Sequence, residues 1–314
     1  MKDEFAYIDY IRRSCAALPD NGIEGIGDDC AVLPIGNGEV LVMTADLLVE
    51  DVHFLRQATS PQMLGHKSLA VNLSDVAAMG ARPVATLLSV ALPKSTDQKW
   101  AEGFIDGYRA LSERFGVSLI GGDTTASPDR IAINVTAIGR APLQNIKRRR
   151  DAMPGDIIAV TGPLGTSAAG LKDILAGRYD TAAATRHKSP MPHVDEGIWL
   201  GRHTEVHAMM DLSDGLASDL GHILDLSHAA ARIDCDAIPH PDATLEEAVC
   251  GGEDYCLLLT AAAEGFETLS RDFESHFAKP LYPIGRITDT PVGRITWFEN
   301  GSPVQHDWHG FNHF

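Results

Sequence analysis

Residues 69–81, LAVNLSDVAAMGA, form a stretch that is apolar on every face of a helix. A helix of this kind is buried on all sides, and the pair Ser60-Pro61 upstream is typical of its start. Asp75 lies in the middle of the stretch, where an unpaired charge would cost several kcal/mol. Arg82 is the only basic residue close by, and it lies beyond the helix end. We therefore expect Asp75 to be a metal ligand.

Strands and helices alternate on both sides of this helix. Apolar residues recur at helical spacing from about 96 to 115, and Gly116 is typical of a helix end. Apolar runs predict strands at 40–49, 117–120, 131–138 and 156–160. A glycine-rich turn is predicted at 161–170, and the spacing of leucine and isoleucine predicts a helix after Ser213.

Residues 139–155 lack periodicity and contain two prolines and a run of basic residues. We place a domain boundary there, which gives an amino-terminal domain of residues 1–140 and a carboxyl-terminal domain of residues 150–314. A chain of 314 residues is long enough for two domains of ordinary size. The expected fold class is α/β or α+β, with mixed sheets packed against helices.

The composition is that of an ordinary globular protein, with 44% hydrophobic and 22% charged residues. A net charge of −17 argues against nucleic acids and anionic membranes as partners, because they need a basic surface. The five cysteines show no CxxC spacing, so neither a disulfide framework nor a zinc site is expected. We expect no leader sequence, no membrane span and a cytoplasmic location.

Several common nucleotide-binding and hydrolase motifs are missing from the sequence. It holds no GxxxxGK[ST] phosphate loop, no GxSxG and no HExxH. Gly25-Ile-Gly27 is followed by two aspartates and lacks a third glycine, so it is not a dinucleotide fingerprint. Other residues must carry the chemistry.

Acidic residues in turns rich in glycine and serine are the most distinctive feature of the chain. They are Asp28, Asp29, Asp46, Asp75, Asp123, Asp211, Asp214 and Glu253. Aspartate beside glycine is common in turns, where the side chain bonds to its own backbone, and this explanation covers any one of them. So many acids together favour several Mg²⁺ ions, because Mg²⁺ takes hard oxygen ligands. Bridging Mg²⁺ would let two phosphorylated substrates meet, so we predict phosphoryl transfer between small molecules.

The two halves of the chain carry similar acidic motifs. NLSD at 72–75 resembles DLSD at 211–214, and GGD at 121–123 resembles GGE at 251–253. The order is the same in both halves, which indicates either a duplicated unit or a chance match of short motifs.

Other candidate contacts lie close to these motifs. Asp211 and Asp214 are three residues apart, a spacing that places both carboxylates on one side of a helix start. Ser213 between them is a candidate to cap that helix or to bind a phosphate oxygen. The basic run at 147–150 is either a solvated surface or the source of one arginine that grips a nucleotide phosphate. His53 is either structural or a substrate contact.

Seven motifs occur in one order along the chain. They are IGDDCAVL (26–33), TADLLVEDVHF (44–54), KSLAVNLSDVAAMGARP (67–83), GGDTT (121–125), VTGPLG (160–165), MDLSDGLASDLGHI (210–223) and GGEDY (251–255). This series resembles the thiamine-monophosphate kinases, a family of the aminoimidazole-ribonucleotide-synthetase superfamily. The resemblance extends to the closing DWHGFNHF at 307–314. One motif of this length would be weak evidence, whereas seven in order are highly specific.

The resemblance implies two α/β domains, a homodimer formed through the amino-terminal domain, and phosphoryl transfer from ATP to thiamine monophosphate. The implied magnesium ligands are Asp29, Thr44, Asp46, Asp75, Asp123, Asp211 and Asp214, of which Asp75, Asp123 and Asp214 position metal and phosphate. The implied ATP contacts are Gly122, Asp123, Arg149 and Ser213. The implied contacts to thiamine monophosphate are His53, Glu253 and Phe311. No general base is expected, because the acceptor is already an ionised phosphate.

Some positions depart from the family pattern. They are Ala45, Ala126, Thr166 and Cys256, which stand where hydroxyl, arginine or acidic residues are common, and Phe311, which has only a ring to stack. The departures bear on single contacts and on affinity. Two alternatives stay open, namely another ATP-dependent synthetase of the superfamily and a non-catalytic sensor of thiamine phosphates or nucleotides. A sensor should have lost metal carboxylates, and here all the matched ones are present.

Overall fold

The computed structural model describes residues 4–15 and 22–310, and these form α-helices and strands in alternation. The helices are α1 Glu4–Cys15, α2 Pro61–Ala78, α3 Gln98–Phe115, α4 Thr166–Leu175, α5 Ala182–Lys188, α6 Val194–Gly201, α7 Leu216–Ser227, α8 Leu245–Cys250 and α9 Phe266–Phe277. The strands are β1 Ala31–Gly36, β2 Glu39–Val49, β3 Arg82–Pro93, β4 Ser118–Ser127, β5 Ala132–Pro142, β6 Ile157–Val160, β7 Val206–Asp211, β8 Ala230–Asp234, β9 Leu257–Ala261, β10 Tyr282–Thr288, β11 Ile295–Glu299 and β12 Ser302–Val304.

Helix α2 lies at the centre of the molecule. It begins at Pro61, and the Ser60 hydroxyl accepts a hydrogen bond from the Met63 backbone N–H at 3.2 Å. Every residue from 67 to 81 is buried except Asp75, which is half-buried. The predicted burial on all sides is confirmed, because α2 packs against the first sheet, α3, α6 and β7.

The first sheet has five strands in the order β1-β2-β5-β3-β4. β3 and β4 are parallel, and the other neighbours are antiparallel. One face carries Leu88, Ile133 and Val135 into the core beneath α2 and α3. The opposite face leaves apolar side chains such as Leu47 and Leu87 exposed. Strand β4 lies at the edge of the sheet.

The second sheet has seven strands in the order β12-β11-β8-β10-β6-β9-β7. β8 and β11 are parallel, and the remaining neighbours are antiparallel. On one face Leu258 packs with Ile223 of α7. On the other face Leu257 shares a core with Phe273 of α9 and Leu73 of α2. One core therefore joins the two sheets through α2.

The predicted fold class is confirmed, with two mixed sheets packed against helices. The helix predicted at 96–115 is α3, which ends at Gly116 with a left-handed φ of 65°. The strands of the first sheet lie within residues 31–142 and those of the second within 157–304. In the part of the chain that is described, no helix has the length and apolarity needed to cross a membrane.

Three local predictions are wrong. The turn predicted at 161–170 ends early, because α4 begins at Thr166. Asp211 and Asp214 do not share a helix start, since Asp211 ends β7 and α7 begins only at Leu216. Four of the eight acidic residues are not in turns, because Asp46, Asp123 and Asp211 lie in strands and Asp75 lies in α2.

Candidate active site

Three carboxylates from distant parts of the chain meet where the two sheets face each other. Asp29 precedes β1, Asp75 lies on α2 and Asp211 ends β7. One oxygen from each lies within 4.8 Å of the others. Carboxylate oxygens so close together repel one another unless a cation or protons lie between them. The cluster therefore has the donor set and spacing of a metal site.

Hydroxyl groups hold two of these carboxylates in place. Thr44 Oγ1 on β2 donates to Asp75 Oδ2 at 2.5 Å. Ser74 Oγ on α2 donates to Asp211 Oδ2 at 2.5 Å, which links residues 137 apart in the sequence. Because both contacts fix rotamers before any ligand arrives, the cluster is preorganised.

The pKa values of the clustered carboxyl groups are raised. Burial, followed by the charge of Asp29, raises the pKa of Asp211 to about 8. Burial, again with the charge of Asp29, raises the pKa of Asp46 to about 6. Burial and the charge of Asp46 raise the pKa of Asp75 well above its usual value. Opposing positive charge would restore these groups to their ionised form.

Arg149 is the cation that meets the cluster. Its Nη2 atom lies 2.6 Å from Asp29 Oδ1, and its Nε atom donates to Asp29 Oδ2 at 3.3 Å. Its backbone N–H donates to Asp28 Oδ2 at 3.3 Å. The structure places Arg149 beside Asp29, a predicted metal ligand, and its contact with ATP stays a prediction.

The loop after β7 is held by a buried carboxylate. Asp219 is 1% exposed, and its Oδ2 accepts hydrogen bonds from the backbone N–H groups of Asp214 at 3.1 Å and Gly215 at 3.0 Å. Asp219 therefore holds the turn that leads into α7. The N-cap is Gly215, so of the two roles expected for Ser213 the helix cap is wrong. Ser213 remains half-buried in the loop, where its side chain lines a cavity.

That cavity has a volume of about 750 Å³ and lies beside the carboxylate cluster. The predicted site residues that line it are Asp46, His53, Asp75, Ser213, Asp214 and Glu253. Leucine and isoleucine side chains of α4 form an apolar part of the wall, including Leu171 and Ile174. The wall therefore has a charged part and an apolar part, which suits a ligand with a charged end and a ring system.

Two predicted contacts, Gly122 and Asp123, lie apart from both the carboxylate cluster and the cavity, and a third cannot be placed. Asp123 pairs with Ser89 across β3 and β4 on the exposed face of the first sheet, two positions beyond Leu87. Because side chains alternate along a strand, this face is opposite to the one that packs on α2. Gly122 has φ 148°, and a Cβ there would lie 1.7 Å from the Leu88 carbonyl oxygen. Phe311 lies outside the described residues.

Glu253 is held from three directions. Its backbone is left-handed, with φ 64°, and its N–H donates to the Ser213 carbonyl at 2.8 Å. Its Oε2 atom accepts a hydrogen bond from Lys67 Nζ at 2.8 Å and lies 3.2 Å from His187 Nδ1. Burial alone would raise the pKa of Glu253, but the charges and the hydrogen bond supplied by Lys67 and the neighbouring histidines together lower it, so the carboxylate is ionised. His53 lies next to this group, and its carbonyl oxygen accepts from Lys67 at 3.3 Å.

Sequence reasoning missed the residues that orient the predicted ligands. They are Lys67, Ser74, His187 and Asp219. Lys67 and Ser74 had a visible signal, because Ser74 lies inside the stretch 69–81 predicted to be buried on all sides and Lys67 lies two residues before it. His187 and Asp219 had none, since a histidine or an aspartate on a helix is compatible with an exposed position.

The departure at Cys256 lies in the core and away from the cavity. Cys256 is 0% exposed, and its Sγ atom contacts the Pro163 carbonyl oxygen at 3.6 Å. Burial raises the pKa of the thiol to about 12, so the sulfur is not a nucleophile here. An acidic side chain at this position would need a buried partner.

Comparison with known proteins identifies the family. Residues 27–141 match the N-terminal domain model of AIR synthase related proteins, and residues 153–298 match the C-terminal domain model. The thiamine-monophosphate kinase of Escherichia coli K12 is 40% identical over 306 residues, with 92% of this chain and 91% of the relative covered. The structure of AaThiL complexed with AMPPCP and TMP aligns with a TM-score of 0.84 at 29% identity, covering 99% and 97% of the two chains. The thiamine-monophosphate kinase structure from Stenotrophomonas maltophilia K279a aligns with a TM-score of 0.77 at 38% identity, covering 96% and 98%. The chain therefore belongs to the thiamine-monophosphate kinase family.

Proposed function

We propose that the protein transfers the γ-phosphoryl group of ATP to thiamine monophosphate, giving ADP and thiamine diphosphate. Membership of the kinase family supports this reaction, as does the related AaThiL, which was solved with AMPPCP and TMP. The observation that carries the proposal is the cavity that combines Asp46, Asp75 and Asp214 with His53 and Glu253. Because the reaction consumes ATP, we also propose a cytoplasmic location.

The donor set of the cluster fits Mg²⁺. Its members are carboxylate oxygens and one hydroxyl, which are the hard ligands that Mg²⁺ prefers, and three of the carboxylates bring oxygens within 4.8 Å of one another. The residues that would hold Mg²⁺ are Asp29, Thr44, Asp46, Asp75, Asp211 and Asp214. Bound Mg²⁺ would offset the charge repulsion between the two phosphorylated substrates.

The side chains of the site bind and orient, and none acts as a general base. The acceptor oxygen belongs to an ionised phosphate, so no proton has to be removed before it attacks the γ-phosphorus in line. Arg149 lies where its guanidinium reaches from Asp29 toward a nucleotide phosphate. The Ser213 hydroxyl lines the cavity beside Asp214 and offers a hydrogen bond to the same phosphates.

A homodimer through the first sheet is also part of the proposal. The exposed face and edge of this sheet carry Leu47, Leu87, Leu119 and Ile120, with exposures of 55, 36, 44 and 62%. A large exposed apolar patch beside an open edge strand is typical of an interaction surface. Asp123 lies on this face, away from the carboxylate cluster of its own chain, so we propose that it makes its predicted ATP contact across the interface.

A phosphoryl-transfer assay tests the proposed reaction. The protein is incubated with ATP and Mg²⁺ and with either thiamine monophosphate or free thiamine, and products are separated by chromatography. We expect thiamine diphosphate from the monophosphate, no product from thiamine, and no turnover when EDTA removes the metal. Binding of ATP and thiamine monophosphate without product would favour a sensor, and turnover of thiamine itself would reassign the acceptor.

A further inference from the structure

Lys67 is a fully buried cation at the junction of the two halves of the chain. Its residue is 1% exposed, and its ammonium donates to Glu253 Oε2 at 2.8 Å and to the His53 carbonyl oxygen at 3.3 Å. Glu253 lies 186 residues further along the sequence. A buried ammonium without a counter-ion costs several kcal/mol, so Lys67 and Glu253 depend on each other.

His187 approaches the same oxygen of Glu253. Its Nδ1 atom lies 3.2 Å from Glu253 Oε2 and 3.0 Å from Ser167 Oγ. Burial and the charge of Lys67 lower the pKa of His187 to about 4, so the ring is neutral near pH 7. A carboxylate only accepts hydrogen bonds, so the tautomer with its proton on Nδ1 avoids repulsion with Oε2. Lys67 and His187 therefore both approach Oε2.

The second carboxylate oxygen of Glu253 has a different environment. Within residues 4–15 and 22–310, the hydrogen bond from Lys67 and the approach of His187 are both to Oε2, and no hydrogen bond reaches Oε1. The side chain is 23% exposed and lines the 750 Å³ cavity. The Ser213 carbonyl fixes the backbone and Lys67 holds Oε2, so both ends of the Glu253 side chain are restrained and Oε1 is the oxygen left for a ligand.

We propose that Lys67 and His187 are positioning residues that hold Glu253 by Oε2, so that Oε1 accepts a hydrogen bond from the exocyclic amine of the pyrimidine ring of thiamine monophosphate. This inference rests on the proposed function, and it names the chemical group of thiamine monophosphate that Glu253 contacts. Nothing else about the reaction depends on it.

The charge balance of the Lys67–Glu253 pair favours a contact with the amine over a contact with the thiazolium ring. Lys67 already neutralises Glu253, so the pair has little net charge with which to attract a cation. A paired carboxylate oxygen remains a strong acceptor for an uncharged N–H donor, and such a bond is directional. An oxo group in place of the amine would face Oε1 with lone pairs, and both groups would be left without a donor.

The test compares thiamine monophosphate with its analogue in which the pyrimidine amine is replaced by an oxo group. Wild-type enzyme should favour the amine by about tenfold or more in kcat/KM, the scale of one hydrogen bond to a charged group. Glu253→Gln should reduce this preference to about threefold or less, because its amide can donate to the oxo group. KM for ATP should change by less than about twofold, because the substitution leaves the ATP contacts in place.

Lys67→Met tests the positioning role. It should raise KM for thiamine monophosphate about tenfold and lower the preference for the amine, with KM for ATP unchanged. Lys147→Met is the matched control. Lys147 is also buried, but among the described residues its Nζ donates at 2.8 Å to the carbonyl oxygens of His203 and Val206 and to no carboxylate. This variant should lose stability and keep the full preference.

Each outcome decides a separate point. Equal turnover of both compounds by wild-type enzyme would overturn the amine contact. The comparison of wild-type enzyme with Glu253→Gln tests this contact even if Lys67→Met does not fold. A preference that survives Lys67→Met would overturn the positioning role and leave Lys67 as a structural ion pair. If wild-type enzyme phosphorylates neither compound, the proposed function itself fails and this inference with it.

Discussion

Four residues at the centre of α2, Asn72 to Asp75, organise much of the carboxylate cluster. The Asn72 side chain accepts the backbone N–H of Asp46 at 3.1 Å, and Ser74 holds Asp211. Asp75 itself is held by Thr44. Successive residues of a helix point about 100° apart, so one turn reaches β2, β7 and the cavity at once. A short motif can therefore serve three separate elements.

Asp75→Asn should lower turnover at least about a hundredfold, the scale lost with one electrostatic stabiliser. The fold should remain intact, because burial and the charge of Asp46 raise the pKa of this carboxyl and make its ionised form costly. Steady-state kinetics and urea unfolding in EDTA measure the two effects. Asp129→Asn, at a carboxylate whose side chain is 75% exposed, is the control. Near-normal turnover of Asp75→Asn would remove this residue from the metal site.

His193 predicts a pH dependence of stability. Burial lowers its pKa well below the usual value, and the charges of Lys279 and Arg186 lower it further. The unfolded chain takes up this proton below about pH 6.5 and the folded protein does not, so stability is lost as the pH falls. His193→Asn should flatten the slope below pH 6.5 by up to about 1.4 kcal/mol per pH unit.

Urea unfolding between pH 5 and 8 measures this slope. His309→Asn, at an exposed histidine of the carboxyl-terminal segment, should leave the wild-type slope unchanged. Parallel curves for His193→Asn and wild type would mean that the folded protein already binds this proton.

At the scale of elements, α2 and α3 pack unusually closely. A Cβ on Gly65 would lie 1.9 Å from the Phe104 carbonyl oxygen, and one on Gly107 would lie 1.9 Å from the Gln62 carbonyl oxygen. Each helix therefore presents a glycine to the backbone of the other. This close approach lets α2 remain buried between α3 and the second sheet.

Gly65→Ala should destabilise the protein by about 1–3 kcal/mol, because the helices must move apart to admit the methyl group. Gly221→Ala is the matched control. Gly221 also lies within a helix, but a Cβ there meets nothing within 4 Å. The control should gain up to about 1 kcal/mol from helix propensity. Denaturant unfolding of both variants compares the effects, and a stabilised Gly65→Ala would contradict the close packing.

At the scale of the whole molecule, the exposed face of the first sheet predicts the assembly state. Ile120→Asp should convert a dimer to a monomer, because it places a charge in the proposed apolar interface. Val292→Asp, at a residue that is 56% exposed in the carboxyl-terminal half, should leave the dimer intact. Sedimentation velocity measures the mass of each variant. A monomeric wild-type protein would refute the interface.

The sequence predicted local elements well where the signal was local. The cap at Ser60, the left-handed end at Gly116 and the apolar periodicity of α3 depend on neighbouring residues, and all are confirmed. It failed where a helix start depends on a distant partner. The spacing of Asp211 and Asp214 fits a helix, but the strand pairing of β7 with β9 extends through Asp211.

The sequence by itself determined the family, the fold class and the acidic chemistry, because residue types in ordered motifs carry that information directly. Only the tertiary structure decided which acids meet. Asp29, Asp75 and Asp211 converge because α2 lies between the two sheets. Asp123 is turned to the opposite face because side chains alternate along β4. The pairing of Lys67 with Glu253 was likewise unreadable from the sequence, since it joins residues 186 positions apart through burial in a shared core.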